Sequence, residues 1–231
     1  MISIIIPVYN EADQIAETIR KIHAANNQHD IEIIVVDGGS NDQTASIAEK
    51  CGAVTIVSQK KGRAAQMNKG ALMANGDILY FLHADSMPPQ NFIGHIIKAI
   101  GKGYSSGCFR LCFDLPNWFL KANCWFTRFD VNAVRFGDQS LFVTQSVFGK
   151  SGGFNESLLM MEDQEIIHRI KKHGRFKVMN ATVTTSARKY MDNGIYRMQG
   201  IFFRIWLLYY LGYSQERLLQ LHRKLIRNHK F

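Results

Sequence analysis

Four short apolar runs, separated by stretches of helical period, most constrain what this chain can fold into. Residues 2–8, 31–36, 54–58 and 78–82 are strand-like, and residues 31–36 are apolar almost throughout. A run of that kind is buried on both faces of a sheet. Residues 12–25 place Ile15, Ile19 and Ile22 at helical spacing. Asp42 and Thr44 offer caps for a second helix that ends near Gly52, and residues 63–73 read as a third helix before Gly76. Pro88-Pro89 restarts a helix that runs to residue 100. Strands alternating with helices imply a mostly parallel sheet with right-handed crossovers. No G-x-G-x-x-G follows the first strand, which argues against a classical dinucleotide fold.

Three of the apolar runs end in chemistry. The first meets Tyr9-Asn10-Glu11, the second Asp37-Gly38-Gly39-Ser40, and the fourth His83-Ala84-Asp85. In an open α/β sheet the carboxyl ends of the strands face one crevice, where ligands bind. A fourth acidic site, Glu162-Asp163, opens a later helix of residues 162–172 after a glycine-rich stretch.

Past Gly107 the pattern loosens. Residues 108–113, 140–143 and 181–186 read as strands, whereas residues 115–136 are aromatic-rich and irregular. The basic charge is confined to this half. Residues 1–115 hold 10 Lys and Arg against 11 Asp and Glu, and residues 116–231 hold 18 against 8. Such a half suits a diphosphate or an anionic lipid, and no nucleic-acid module is visible. Residues 201–211 are strongly apolar, but they are too few to span a bilayer and Arg204 interrupts them. Leu218, Leu221 and Leu225 then repeat at helical spacing among basic residues. The tail, residues 191–231, therefore reads as basic amphipathic helices that pack on the main domain, pair with a twin subunit or rest on a membrane. Met1-Ile2-Ser3 has no charged n-region, and the four cysteines form no C-x-x-C pair. Both features suggest a cytoplasmic chain with reduced thiols, peripheral on the inner membrane face if the tail docks there.

On these residues the chain resembles family 2 glycosyltransferases of the GT-A fold over roughly residues 1–190. The resemblance rests on Pro7-Val8-Tyr9-Asn10-Glu11, Val36-Asp37-Gly38-Gly39-Ser40-Asn41-Asp42, the Arg63–Gly70 segment and the acidic sites. Within the family it is most similar to the small bacterial arsenosugar-biosynthesis-like subgroup, through Gly62–Asn68, Phe81–Asp85, Phe136-Gly137-Asp138-Gln139 and Met160–Asp163.

The resemblance implies an inverting transfer of one sugar from a UDP- or GDP-linked donor. Pro7, Tyr9, Glu11, Asp37, Arg63, Asn68 and Ala84 would bind the nucleotide. Asp85, with His83 in place of the family's usual Asp, would hold Mn²⁺ or Mg²⁺. Asp138 and Gln139 would meet the donor sugar or the acceptor. Arg188, beside Lys189, would meet the diphosphate; Asp163 would be the base and Glu162 would position the acceptor. Gly38 stands where many members carry a second Asp, and the Q-x-x-R-W signature of processive relatives is missing. A lipid-linked acceptor and a small soluble one both stay open. The competing readings are a degenerate scaffold with a membrane- or partner-binding tail, and a nucleotidyltransferase. The latter would want a glycine-rich basic loop where Asn10-Glu11-Ala12-Asp13 stands.

Overall fold

The computed structural model describes residues 1–26, 29–135 and 137–227. Phe136, part of the resemblance above, lies outside the described residues.

The elements run β1 (Ile2–Val8), α1 (Ala12–Ala25), β2 (Ile31–Asp37), α2 (Thr44–Lys50), β3 (Val54–Val57), α3 (Arg63–Met73), β4 (Ile78–Phe81), β5 (Ser86–Met87), α4 (Phe92–Gly101) and β6 (Ser106–Phe113). The second half holds α5 (Trp118–Phe126), two short 3₁₀ turns (Asn132–Val134 and Gly137–Gln139), β7 (Leu141–Thr144), α6 (Gln145–Lys150), α7 (Glu162–Ile170) and β8 (Phe176–Thr185). The tail adds α8 (Arg188–Asn193), α9 (Ile195–Tyr210) and α10 (Gln215–Leu225).

One eight-stranded sheet has the order β3-β2-β1-β4-β7-β6-β8-β5. Its first four strands are parallel, as the alternation of strand and helix predicts. Successive side chains of a strand point to opposite faces. Ile2, Ile4, Ile6 and Val8 accordingly enter one core with α1, α2 and α4, and Ile5 enters the other with α3, α6 and α7. The sheet is mixed, however, because β7 runs antiparallel to both β4 and β6.

Other expectations shift in detail. Residues 115–136 are less irregular than predicted: Asn117 accepts hydrogen bonds from the Phe119 and Leu120 amides and starts α5. Only Leu120 of that helix is buried, so the segment lacks the apolar period that reveals a helix. The helix after Pro88-Pro89 begins only at Phe92, because Asn91 takes a left-handed conformation just before it. β8 starts five residues before the predicted strand, since the exposed Asn180 interrupts its apolar pattern.

The tail packs on the main domain. Leu120 of α5 joins Ala187, Tyr190, Met198, Ile201, Ile205 and Ile226 in a third core cluster. No helix among the described residues is long and apolar enough to cross a membrane. All four cysteines are unpaired, and burial pushes the Cys108 thiol up to about 12.

Candidate active site

The parallel strands β1, β2 and β4 end at one rim, and a cleft of about 410 Å³ opens there. Pro7, Tyr9 and Glu11 line it from the β1 turn, Gly38 from the β2 turn, and His83, Ala84 and Asp85 from the turn after β4.

The first two turns hold each other. Asn10 adopts φ 54°, its amide donates to Ser40 Oγ at 2.9 Å, and its side-chain oxygen accepts from the Asn41 amide at 2.9 Å. Asp42 caps two helix starts at once, accepting from the Thr44 amide at 3.0 Å and the Ala12 amide at 3.3 Å. Gln66 completes the arrangement. It is 4% exposed, and its amide nitrogen donates to the carbonyls of Val8 and Val36, each at 2.8 Å. This one side chain thus ties the ends of β1 and β2 together, beside the Gly38 amide, which also donates to the Val8 carbonyl at 2.9 Å.

Asp37 is equally committed to structure. Its Oδ1 accepts from the Gly39 amide, the Ser40 amide and Ser40 Oγ at 3.1, 2.9 and 2.6 Å. Gly38, not Asp37, contributes the cleft wall at this point.

After β4 the chain turns sharply, with the Ser86 amide donating to the His83 carbonyl. Thr18 Oγ1 of α1 donates to the Ala84 carbonyl at 2.6 Å and fixes the turn's height. One ligand atom each from His83, Asp85 and Asp138 lies within 4.8 Å of the others. His83 Nδ1 and Asp138 Oδ1 are 2.8 Å apart. Burial would lower the His83 pKa, but the hydrogen bond and charge of Asp138 hold it above the ordinary value. Burial would likewise raise Asp138, and the bond to His83 holds it well below the usual carboxylate range. One imidazole and two carboxylates form a donor set that fits a divalent cation of the oxygen- and nitrogen-accepting kind.

The remaining acids come from α7. Glu162 is 1% exposed and its Oε1 lies 2.9 Å from Arg63 Nε. Burial works against the Arg63 charge, and Glu162, Asp163, Asp138 and Asp85 around it more than restore it. Glu162 thus faces Arg63, whereas the resemblance assigned it to the acceptor. Asp163 meets the His83 turn across Gly137. A Cβ on Gly137 would lie 2.1 Å from Asp163 Oδ2 and 2.8 Å from His83 Cε1, so only glycine allows the two groups to close on this point.

Two expected site residues sit elsewhere. Asn68 does not line the cleft; its amide clamps the α6–α7 loop, accepting from the Phe154 amide at 2.8 Å and donating to the Phe154 carbonyl at 2.9 Å. Gln139 is 1% exposed, and its Nε2 donates to the Phe109 carbonyl at 3.0 Å, inside the domain rather than above a sugar. Arg188 does line the cleft, with its Nη2 3.8 Å from Glu11 Oε2. The sequence reading missed the contribution of α10, which adds Leu219, His222 and Arg223, and that of Lys61 in the turn before α3.

An α/β sheet whose strand-end cleft gathers an imidazole and several carboxylates is of the GT-A type. Two solved structures share the fold. One is a mannosyltransferase, PcManGT, of Pyrobaculum calidifontis in complex with GDP-Man and Mn²⁺ (TM-score 0.70, 18% identity, covering 89% of this chain and 61% of that one). The other is S. aureus TarS 1-349 in complex with UDP (TM-score 0.67, 17% identity, covering 80% and 60%). The family described as glycosyl transferase family 2 matches residues 3–157, and the chain belongs to it. Among curated relatives, an undecaprenyl-phosphate 4-deoxy-4-formamido-L-arabinose transferase of Pseudomonas fluorescens is 35% identical over 112 residues, 45% of this chain. That match spans only 33% of the relative's length.

Proposed function

We propose that this glycosyltransferase inverts the sugar it transfers, taking it from a UDP- or GDP-linked donor to an acceptor hydroxyl or a lipid phosphate. The observation that carries the reading is the convergence of His83, Asp85 and Asp138 beneath a cleft walled by Pro7, Tyr9 and Glu11. Residues 1–190 form the catalytic domain in this reading, and residues 191–231 its basic helical appendage.

The nucleoside rests against Pro7, Tyr9 and Glu11, with Ala84 beneath it. Asp85, His83 and Asp138 would hold the divalent cation, Mn²⁺ or Mg²⁺. When bound, that cation supplies positive charge against the departing diphosphate. Arg63 and Arg188 add cationic donors from two sides of the cleft. Asp163 accepts the acceptor hydroxyl's proton as its oxygen attacks the anomeric carbon. The bond from that carbon to the diphosphate breaks, and the nucleoside diphosphate leaves. A lipid-phosphate acceptor already carries an anionic oxygen and needs less from the base. The curated relative that uses undecaprenyl phosphate supports this class of acceptor, and the GDP-Man and UDP complexes support the donor class.

Thermal melting tests the reading. A ligand that binds only the folded state raises the melting temperature. UDP or GDP with Mn²⁺ should raise it, EDTA should cancel the rise, and Asp85→Asn should abolish the metal-dependent part. No shift with any nucleoside diphosphate would leave the scaffold reading in its place.

A further inference from the structure

The solvent side of α9 is apolar. Its packed side carries Met198, Ile201 and Ile205, which enter the third core cluster. At about 100° per residue these three share one arc of the helix. Tyr196, Phe203, Leu207 and Tyr210 lie on the opposite arc, between 41% and 60% exposed, and Leu211 beyond them is 64% exposed. The same face extends onto α5. The Phe119 ring lies 4.9 Å from Tyr196, and Trp118 beside it is 69% exposed. An exposed apolar patch of this extent marks a surface that is covered in use.

Its chemistry selects the cover. Neither α5 nor α9 contains an Asp or Glu. Lys121 lies on the exposed side of α5, and Arg204 borders the α9 stripe. From Arg188 to the C-terminus there are 9 basic and 2 acidic residues. Tyr196, Tyr210 and Trp118 on this face are of the residue types that favour the boundary between headgroups and acyl chains. A second copy of the chain is a poor cover. Two-fold pairing sets a face against its own image, bringing Lys121 and Arg204 of both copies together with no carboxylate on these helices to answer them.

We propose that the α5–α9 face docks on an anionic membrane surface, with the aromatic stripe in the headgroup boundary and Lys121 and Arg204 against lipid phosphates. The face also connects to the cleft. Arg197 of α9 donates to the Leu225 carbonyl of α10 at 2.6 Å, and α10 supplies Leu219, His222 and Arg223 to the cleft wall. One helix pair thus serves both the docking face and the cleft. That this brings a lipid-linked acceptor to the site rests on the function proposed above; the docking itself does not.

Co-sedimentation of the full chain with vesicles, without nucleotide, tests it. The protein should pellet with phosphatidylcholine vesicles containing phosphatidylglycerol and much less with phosphatidylcholine alone. Phe203→Ser with Leu207→Ser should lower the partition coefficient about tenfold or more. Lys121→Gln with Arg204→Gln should lower it roughly thirtyfold at low salt, as about one basic contact each implies. All four side chains are exposed, so both variants should keep the native melting temperature and its rise with UDP or GDP and Mn²⁺. The proposal fails if the protein ignores anionic vesicles, or if both variants bind them like wild type. It also fails if the protein is a dimer that Phe203→Ser with Leu207→Ser splits into monomers. A nucleotide shift without vesicle binding would sink the docking face alone; vesicle binding without a nucleotide shift would sink the transferase reading alone.

Discussion

Arg63 Nε lies 2.9 Å from Glu162 Oε1, joining the first residue of α3 to the first residue of α7 beneath the cleft. The Glu162 carboxylate is 1% exposed, while about a third of the Arg63 side chain reaches solvent. The pair holds the guanidinium by its Nε. Arg63 also lines the cleft.

Removing one partner of such a pair strands the other. Glu162→Gln should cost about 1–3 kcal/mol, less than a fully enclosed pair because Arg63 is partly solvated. Urea unfolding of wild type and variant would measure it. Retention of full stability would mean that the pair contributes nothing net to the fold.

Gly137 is the tightest point of the site. Gly137→Ala should push Asp163 or the His83 ring aside, since its Cβ would lie 2.1 Å from Asp163 Oδ2. A displacement near 1 Å at a reacting group costs about a hundredfold in rate. The expected result is a kcat roughly a hundredfold lower, with the melting temperature changed far less; unaltered kcat would show that Asp163 is not needed in its present place.

Asp163→Asn should lower kcat by about 10²–10⁴ with a hydroxyl acceptor, the range a lost general base gives. Donor affinity, read from the melting shift with nucleotide, should persist. Turnover at the wild-type rate would remove Asp163 from its role.

A pH effect comes from outside the site. Glu32 accepts from Ser3 Oγ and from the Asn75 amide, each at 2.6 Å, and so ties β1 and β2 to the turn before β4. Burial raises its pKa, but these hydrogen bonds outweigh it and hold the carboxyl below the usual value. A depressed pKa in the folded state means the stabilisation is present above the ordinary value near 4.5 and fades as pH falls through the folded one. Glu32→Gln should therefore destabilise by about 1 kcal/mol at neutral pH, and the two proteins should converge in acid. Melting curves across pH would show the gap closing, and a constant gap would contradict the assignment.

The first half of this chain was open to reading because its signals are local. Ile15, Ile19 and Ile22 repeat at helical spacing, and all three are fully buried. Tyr9, Glu11 and Asp85 stand just past apolar runs, and parallel strands bring such positions to one rim. The missed residues are those whose role depends on distant partners. Gln66 is a polar residue on a helix, which reads as surface, yet it lies buried against two strand ends. Asn68 and Gln139 have the chemistry of ligand contacts but are consumed by main-chain groups 86 and 30 residues away. α10 is basic and amphipathic, and nothing in that composition tells a solvated helix from one that walls a cleft.

The reversal of β7 decides which distant parts of the chain the site must join. Because β7 runs against β4, the chain leaving β4 and the chain entering β7 meet at the same rim, bringing His83 to Asp138 across 55 residues. The segment that arrives from α5 thus carries Gly137 and Asp138 to the His83 turn, while the buried Arg135 just before them donates to the Thr127 carbonyl. A substitution at Gly137 or Asp138 is therefore felt at once across that rim, at His83.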